Sequence, residues 1–350
     1  MRKVTKCLTV VLGLVVIFMT NQSGVMAKAK RVEARKDQTT PVTVQVLPEL
    51  PKDNIGGNHL GYYVLPMNNH RTRLETFKLF NPTNQDLKIS FRVVDATTND
   101  NGTVDYTGQN KIDTKILKQP GSKLIKTPKT LILAPNELKD VSFKINKIAS
   151  NFKGQKATAI NVLASGINSR KSSIQNQYNY AIGVILQGET LPKKELEKLK
   201  FSGIKVRLTN NQKPAISVQL INPDATYLKN TKLKISLVNG KYSFFNYKST
   251  QKELKVAPNS KFYEDILLGG KRLVPGIYKL NMTAISDQYQ QTTSRYVKIT
   301  KTQAQFINMN NYQYLKQKKR LIEIGIIVLV TILVGLLFYW IKVRRKDNLK

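Results

Sequence analysis

Apolar residues fall on every second position in run after run between Val42 and Thr300. Ile89, Phe91 and Val93 alternate with polar neighbours, as do Leu131 and Leu133, then Val141, Phe143 and Ile145, then Ile160, Val162 and Ala164. Farther along, the same rhythm carries Tyr180 to Leu186, Ile204 to Leu208, Ile216 to Leu220, Leu233 to Leu237, Tyr278 to Ala284, and Val297 with Ile299. Successive side chains of a strand point to opposite faces, so this rhythm specifies half-buried strands and not helices. Short strands separated by Asn-Pro, Asp-Asn-Gly and Ala-Pro-Asn turns build antiparallel sandwiches. The expected fold is all-β: two tandem immunoglobulin-like β-sandwich domains over residues 42–165 and 166–302, with the polar stretch 165–175 between them. Asp100-Asn101-Gly102 predicts a type I′ hairpin, and Asn239-Gly240 a second one leading into a strand at Tyr242-Ser243-Phe244. A short helical stretch over Lys193–Lys200, with Leu196 and Leu199 on one side, interrupts the second run.

The two ends set where such a chain resides. Arg2, Lys3 and Lys6 precede an apolar run from Cys7 to Met19, and Val25-Met26-Ala27 supplies the small residues of a cleavage site. Residues 1–27 therefore read as a signal peptide cut after Ala27, with a disordered lead-in over 28–41. At the other end, Leu321 to Ile341 is apolar except for Glu323, carries Trp340 near its far edge, and would span about 31 Å as a helix. Lys342, Arg344, Arg345 and Lys346 follow as a stop-transfer cluster, so residues 342–350 form a basic cytoplasmic tail. Residues 303–320 read as a polar stalk above this transmembrane helix. The expected location is the cell membrane, single-pass, with the bulk of the chain facing the cell wall. No LPxTG motif precedes the helix. Cys7 is the one cysteine, so cleavage would leave no thiol, which suits a Gram-positive exterior.

Two turn motifs occur in both runs. Leu79-Phe80-Asn81-Pro82 matches Leu220-Ile221-Asn222-Pro223, and Ala134-Pro135-Asn136 matches Ala257-Pro258-Asn259. The pairs fit either two related sandwiches or two independent ones sharing common turn chemistry.

Basic residues outnumber acidic ones 57 to 22, a net charge of +35. Over Val42–Ser165 the balance is 17 to 10, and over Gly166–Leu315 it is 23 to 8, so the second domain is the more cationic. Teichoic acids, anionic lipids and sulfated glycans are the polyanions such a surface meets outside the cell. Lysines from Lys229 to Lys261 are spread along strands and turns, which equally describes a generally solvated surface. Nucleic acid is not an expected partner of an exported chain. Glycan binding on a sandwich calls for exposed aromatics beside amides and carboxylates, and the candidates are Tyr62, Tyr63, Asn99, Asp100, Asp105 and Tyr106. For Asn99–Tyr106 the alternative is turn geometry alone. With Gly102 as the sixth residue of a calcium loop, Thr97 would be the first ligand and the twelfth position holds no glutamate, so no metal is expected. No cofactor is expected either. Scattered carboxylates, two histidines (His59 and His70), and the lack of a serine elbow or HExxH point away from an enzyme, a wall-glycan hydrolase being the alternative.

Asn81-Pro82-Thr83, Asp95-Ala96-Thr97-Thr98-Asn99 and Asn101-Gly102-Thr103-Val104-Asp105-Tyr106 together resemble the first domain of the WxL-interacting protein family of Gram-positive bacteria. Val256-Ala257-Pro258-Asn259-Ser260-Lys261-Phe262 and Leu273-Val274-Pro275-Gly276-Ile277-Tyr278 resemble its second domain. The resemblance implies a peptidoglycan-binding domain followed by one that contacts host extracellular matrix proteins and WxL-domain surface proteins. It carries over no individual contact residue.

Overall fold

The computed structural model describes residues 43–67, 71–148, 151–166 and 178–347. The expected leader with its cleavage at Ala27, the lead-in, and His70 lie outside the described residues. Eleven strands make up the first half: β1 (Gln45–Pro48), β2 (Tyr63–Pro66), β3 (Arg73–Phe80), β4 (Leu87–Asp95), β5 (Thr97–Thr98), β6 (Val104–Asp105), β7 (Ile125–Lys126), β8 (Thr130–Leu133), β9 (Leu138–Ile145), β10 (Gln155–Gly166) and β11 (Tyr178–Gln187). One sheet runs β1-β3-β9-β7 and the other β2-β11-β10-β4-β8, while β5 and β6 form a separate hairpin. The alternation seen in sequence is the alternation of burial: in β9, Val141, Phe143 and Ile145 are buried and the residues between them are not. Rings cross from one sheet to the other, Tyr63 edge-on to Phe143 at 5.2 Å and Phe77 edge-on to Phe91 at 6.0 Å. Strand β2 pairs in parallel with β11, whereas the other paired strands among the described residues are antiparallel.

The second half contains β12 (Lys200–Leu208), β13 (Pro214–Asn222), β14 (Leu228–Asn239), β15 (Asn246–Val256), β16 (Ser260–Leu267), β17 (Gly276–Ile285) and β18 (Gln290–Ile299). They form sheets β12-β13-β16 and β15-β14-β17-β18 around a second core. The two halves repeat one strand order, with β10 between β11 and β4 as β17 lies between β18 and β14. The repeated motifs explain part of that likeness. Asn81 Nδ2 donates to Gln85 O and Ala134 O, and Asn222 Nδ2 donates to Thr226 O and Ala257 O, so each Asn-Pro amide ties down its own Ala-Pro-Asn turn. The closing residues of those turns, Asn136 and Asn259, both take positive φ (57° and 45°).

Four expectations change. Strand β11 lies beyond the expected 165/166 boundary yet is bonded to β10 and β2, so the first sheet closes only at Gln187. Residues Lys193–Lys200 hold one 3₁₀ turn, Lys193–Glu195, and then run extended, because Glu197 N bonds Asp224 Oδ1 and Leu199 N bonds the Tyr289 hydroxyl. Tyr242-Ser243-Phe244 belongs to the loop between β14 and β15, not to a strand. The stretch read as a stalk is instead helical: α1 (Lys301–Met309) docks Ala304 and Ile307 into the second core. Thr300 and Gln303 cap its first turn reciprocally. Helix α2 (Tyr312–Asp347) follows almost at once; it is long and apolar enough to cross a membrane (mean hydropathy 2.9), and its apolar span is nowhere buried against the rest of the molecule.

A strand of the second half turns a carboxylate into the core. Glu264 shares the inward face of β16 with Ser260, Phe262 and Ile266 and is 1% exposed. Ser249 donates to one carboxylate oxygen, and the other has no partner among the described residues. Burial pushes its pKa up from 4.5 to about 7. The folded state therefore holds a proton that the unfolded state releases, and stability falls as pH rises between those values, by up to about 3 kcal/mol. Denaturant unfolding across this window should show that slope in the wild type. In Glu264→Gln the slope should flatten and the stability above pH 7 should rise.

Candidate functional site

The polar string 95–110 is the region of the sequence richest in candidate ligand contacts, and the structure divides it between two tasks. The hairpin closes by Asn99 N to Thr103 O and Gly102 N to Asn99 O, with positive φ (73°) at Gly102 but not at Asn101. It is thus a type I turn followed by a left-handed glycine, not the expected type I′ turn. On one side, Asp105 organises a polar cluster. Its Oδ1 accepts from Thr107 N and Oγ1 at 2.9 and 2.7 Å, and Asn110 Nδ2 bridges to Asn99 Oδ1 at 2.7 Å. Arg92 and Asn161 both donate to Thr107 O.

The other side of the hairpin lies against β15 and β16. Asp100 accepts from Arg207 Nη2 at 2.6 Å and from Tyr263 N at 3.3 Å. Thr98 Oγ1 takes Ala257 N at 2.9 Å and shares a 2.7 Å hydrogen bond with Ser260 Oγ. Gly102 O accepts from Lys255 N, and the Tyr106 and Tyr227 hydroxyls meet at 2.7 Å. Burial pushes the pKa of both phenols up. Lys261 Nζ reaches Asp113 at 2.6 Å, which holds that carboxyl below its ordinary value. Behind these bonds lies a small apolar core shared by both halves, with Val64, Ala96, Ala157 and Ile185 on one side and Tyr227 and Ala257 on the other.

Of the six glycan candidates, then, Asp100 and Tyr106 hold the seam, while Asn99 and Asp105 belong to the polar cluster. Tyr63 is fully buried, donating its hydroxyl to Thr76 O, and Tyr62 is exposed beside Gly183. Tyr227 and Arg207, which complete the seam with Lys261, were not singled out by the sequence; a tyrosine or a basic residue inside an alternating strand gives no sign of its partner. Among the described residues no cluster of histidine, cysteine, aspartate or glutamate could hold a metal ion. A cleft of about 280 Å³ opens at the junction, lined by Leu117, Lys118, Phe152, Lys153, Lys156 and Asn259 among others.

Comparison with known proteins supplies the functional class. Residues 43–164 match the family model of the WxL Interacting Protein peptidoglycan binding domain, and residues 169–309 match that of its host binding domain. The chain belongs to the WxL-interacting protein family. Its halves follow the family's order, a peptidoglycan-binding domain and then a host-binding domain, and both are binding domains. No curated protein matches the chain. Among solved structures, the Salmonella enterica SafA pilin in complex with the SafB chaperone is similar at 10% identity and TM-score 0.31, over 74% of this chain and 97% of that one. The CsuC–CsuE chaperone–adhesion subunit complex of Acinetobacter baumannii gives 15% identity and 0.31, over 63% and 89%. The PapD-like domain 7 of human CEP192 gives 13% and 0.28, over 48% and 100%. Scores this low do not define a shared fold.

The seam yields a direct test. A Cβ at Gly102 would lie 1.9 Å from Leu254 Cδ2, on a backbone that disfavours any side chain. Gly102→Ala should cost about 1–3 kcal/mol and speed limited proteolysis within 188–199, read by mass spectrometry of the fragments. Equal cleavage rates in variant and wild type would show that the hairpin does not hold the halves together.

Proposed function

We propose that this family member is a membrane-anchored adhesion and scaffold protein, non-enzymatic, that joins cell-wall peptidoglycan to WxL-domain surface proteins and to host extracellular matrix. The single observation that carries the reading is the order of parts: a peptidoglycan-binding domain, a host-binding domain locked to it by the seam, and then an apolar helix. In this reading each half is an immunoglobulin-like sandwich, the leader is removed after Ala27, and α2 anchors the chain with Lys342, Arg344, Arg345 and Lys346 in the cytoplasm. The exposed ring of Tyr62 and the amides of Asn99 and Asn110 are the side chains offered to wall glycan, because Tyr63 is enclosed and Asp100 is engaged elsewhere. Strand β18, at the edge of its sheet, offers main-chain pairing to a protein partner.

Cosedimentation of the detergent-solubilised full chain with purified peptidoglycan, stripped or not of teichoic acid, tests this. Binding to the stripped wall should persist at about 0.5 M salt, where the screening length is about 4 Å, and Tyr62→Ala with Asn99→Ala should weaken it several-fold. Binding that needs teichoic acid and disappears with salt would leave only attraction by the +35 charge. Release of soluble sugar from the wall would make the chain an enzyme.

A further inference from the structure

At the end of the second domain opposite Ala257 and Ser260, three loops converge: 209–213 between β12 and β13, 240–245 between β14 and β15, and 268–275 between β16 and β17. Strand β18 also ends here, Ile299 pairing with Gly276. Helix α2 springs from the same place. Asn311 Nδ2 donates to Lys271 O, Leu273 N donates to Asn308 Oδ1, and Gln313 and Gln317 lie against Gly270. Gln317 precedes Leu321, where the apolar stretch begins, by four residues, or about 6 Å of helix. That is roughly the depth of one headgroup layer.

The surface these loops present is unusual in two ways. It carries Lys213, Lys241, Lys271 and Arg272, all exposed and none in an ion pair among the described residues, and the three loops contain no acidic residue. The base of α2 adds Lys316, Lys318, Lys319 and Arg320. The loop tip also displays aromatic rings: Phe244 is 71% exposed and Tyr242 40%. These rings do not hang loosely. Asn239 Oδ1 accepts from Lys241 N and Tyr242 N, Phe245 N bonds Tyr242 O, and Phe244 stacks on Phe245 at 4.4 Å. A phenylalanine held outward at a loop tip between lysines gains nothing from water. In the interfacial layer of a bilayer, aromatic rings sit favourably at headgroup level and cations meet anionic lipid.

We propose that this end of the second domain docks on the bilayer that α2 crosses, with Tyr242 and Phe244 in the interfacial layer and Lys241, Lys271 and Arg272 on anionic phospholipid headgroups. The proposal rests on α2 being the membrane anchor, so the test must separate the two. The full chain carrying Trp340→Phe and Phe244→Trp is reconstituted into vesicles of phosphatidylcholine with or without phosphatidylglycerol, and circular dichroism checks that its fold is kept. Alkali-resistant flotation reports insertion of α2 in both vesicles. Docking predicts that lipids brominated near the headgroup reduce the indole emission roughly twofold in phosphatidylglycerol vesicles. Lys271→Glu combined with Arg272→Glu should abolish that quenching while flotation is unchanged. An indole that floats with the vesicles but is quenched equally by aqueous iodide in both lipids overturns docking and leaves the loop facing water or a protein. Failure of flotation removes the anchor and the docking with it.

Discussion

The outer face of the five-stranded sheet β2-β11-β10-β4-β8 cannot be left to water, and much of the molecule follows from that. Ala96, Ala157, Val64 and Ile185 make the part of it around β10 and β11 apolar and low. The second domain lays Tyr227 and Ala257 into it. Strand β10 is consequently buried on both faces from Ala157 to Val162, and its neighbour β11 from Val184 to Leu186. Small side chains let the backbones approach closely: Gln155 N reaches Ala225 O at 2.6 Å. The connection between the halves is drawn extended across the junction, tied by Lys153 to Glu195 and by Glu197 N to Asp224.

The two halves use one plan, with β2 and β7 added in the first and one large departure in a connection. Strand β14 turns into β15 through six residues, 240–245, whereas β4 and β8, in the same positions of the first half, are separated by residues 96–129. That excursion contains the hairpin β5–β6 and Asp113, which make most of the polar contacts to the second half. The joint between domains is thus an elaboration of one hairpin connection, while the amide-tied turns at Asn81 and Asn222 remain alike.

Period-two runs made most strands legible from residues alone, and the order of domains was legible from the strings at 81–106 and 256–278. Short strands such as β1, β2 and β7 offered too few positions for a period to register. The end of the first sheet was misplaced because a polar loop precedes β11, and local polarity cannot tell a loop inside a domain from one between two. The docking of α1 was hidden because two apolar contacts, Ala304 and Ile307, are set among Gln and Asn. Glu264 occupies a slot that alternation assigns to a hydrophobe, a placement set by the opposing Ser249 on another sheet. The polar string 95–110 drew notice for the right residues, but whether an aspartate faces solvent or an arginine 107 positions away is decided only by the assembled fold.

With Ala304 and Ile307 sunk in the core and only Asn310 and Asn311 between α1 and α2, the strand-built halves reach the apolar helix with no long tether between them. The distance from the start of the apolar helix to the polar cluster around Asp105 is then a length spanned by folded parts. If α2 anchors the chain as proposed, whatever the first half grips is held at a height set by folded parts, and the molecule then works as a spacer as much as a pair of hands.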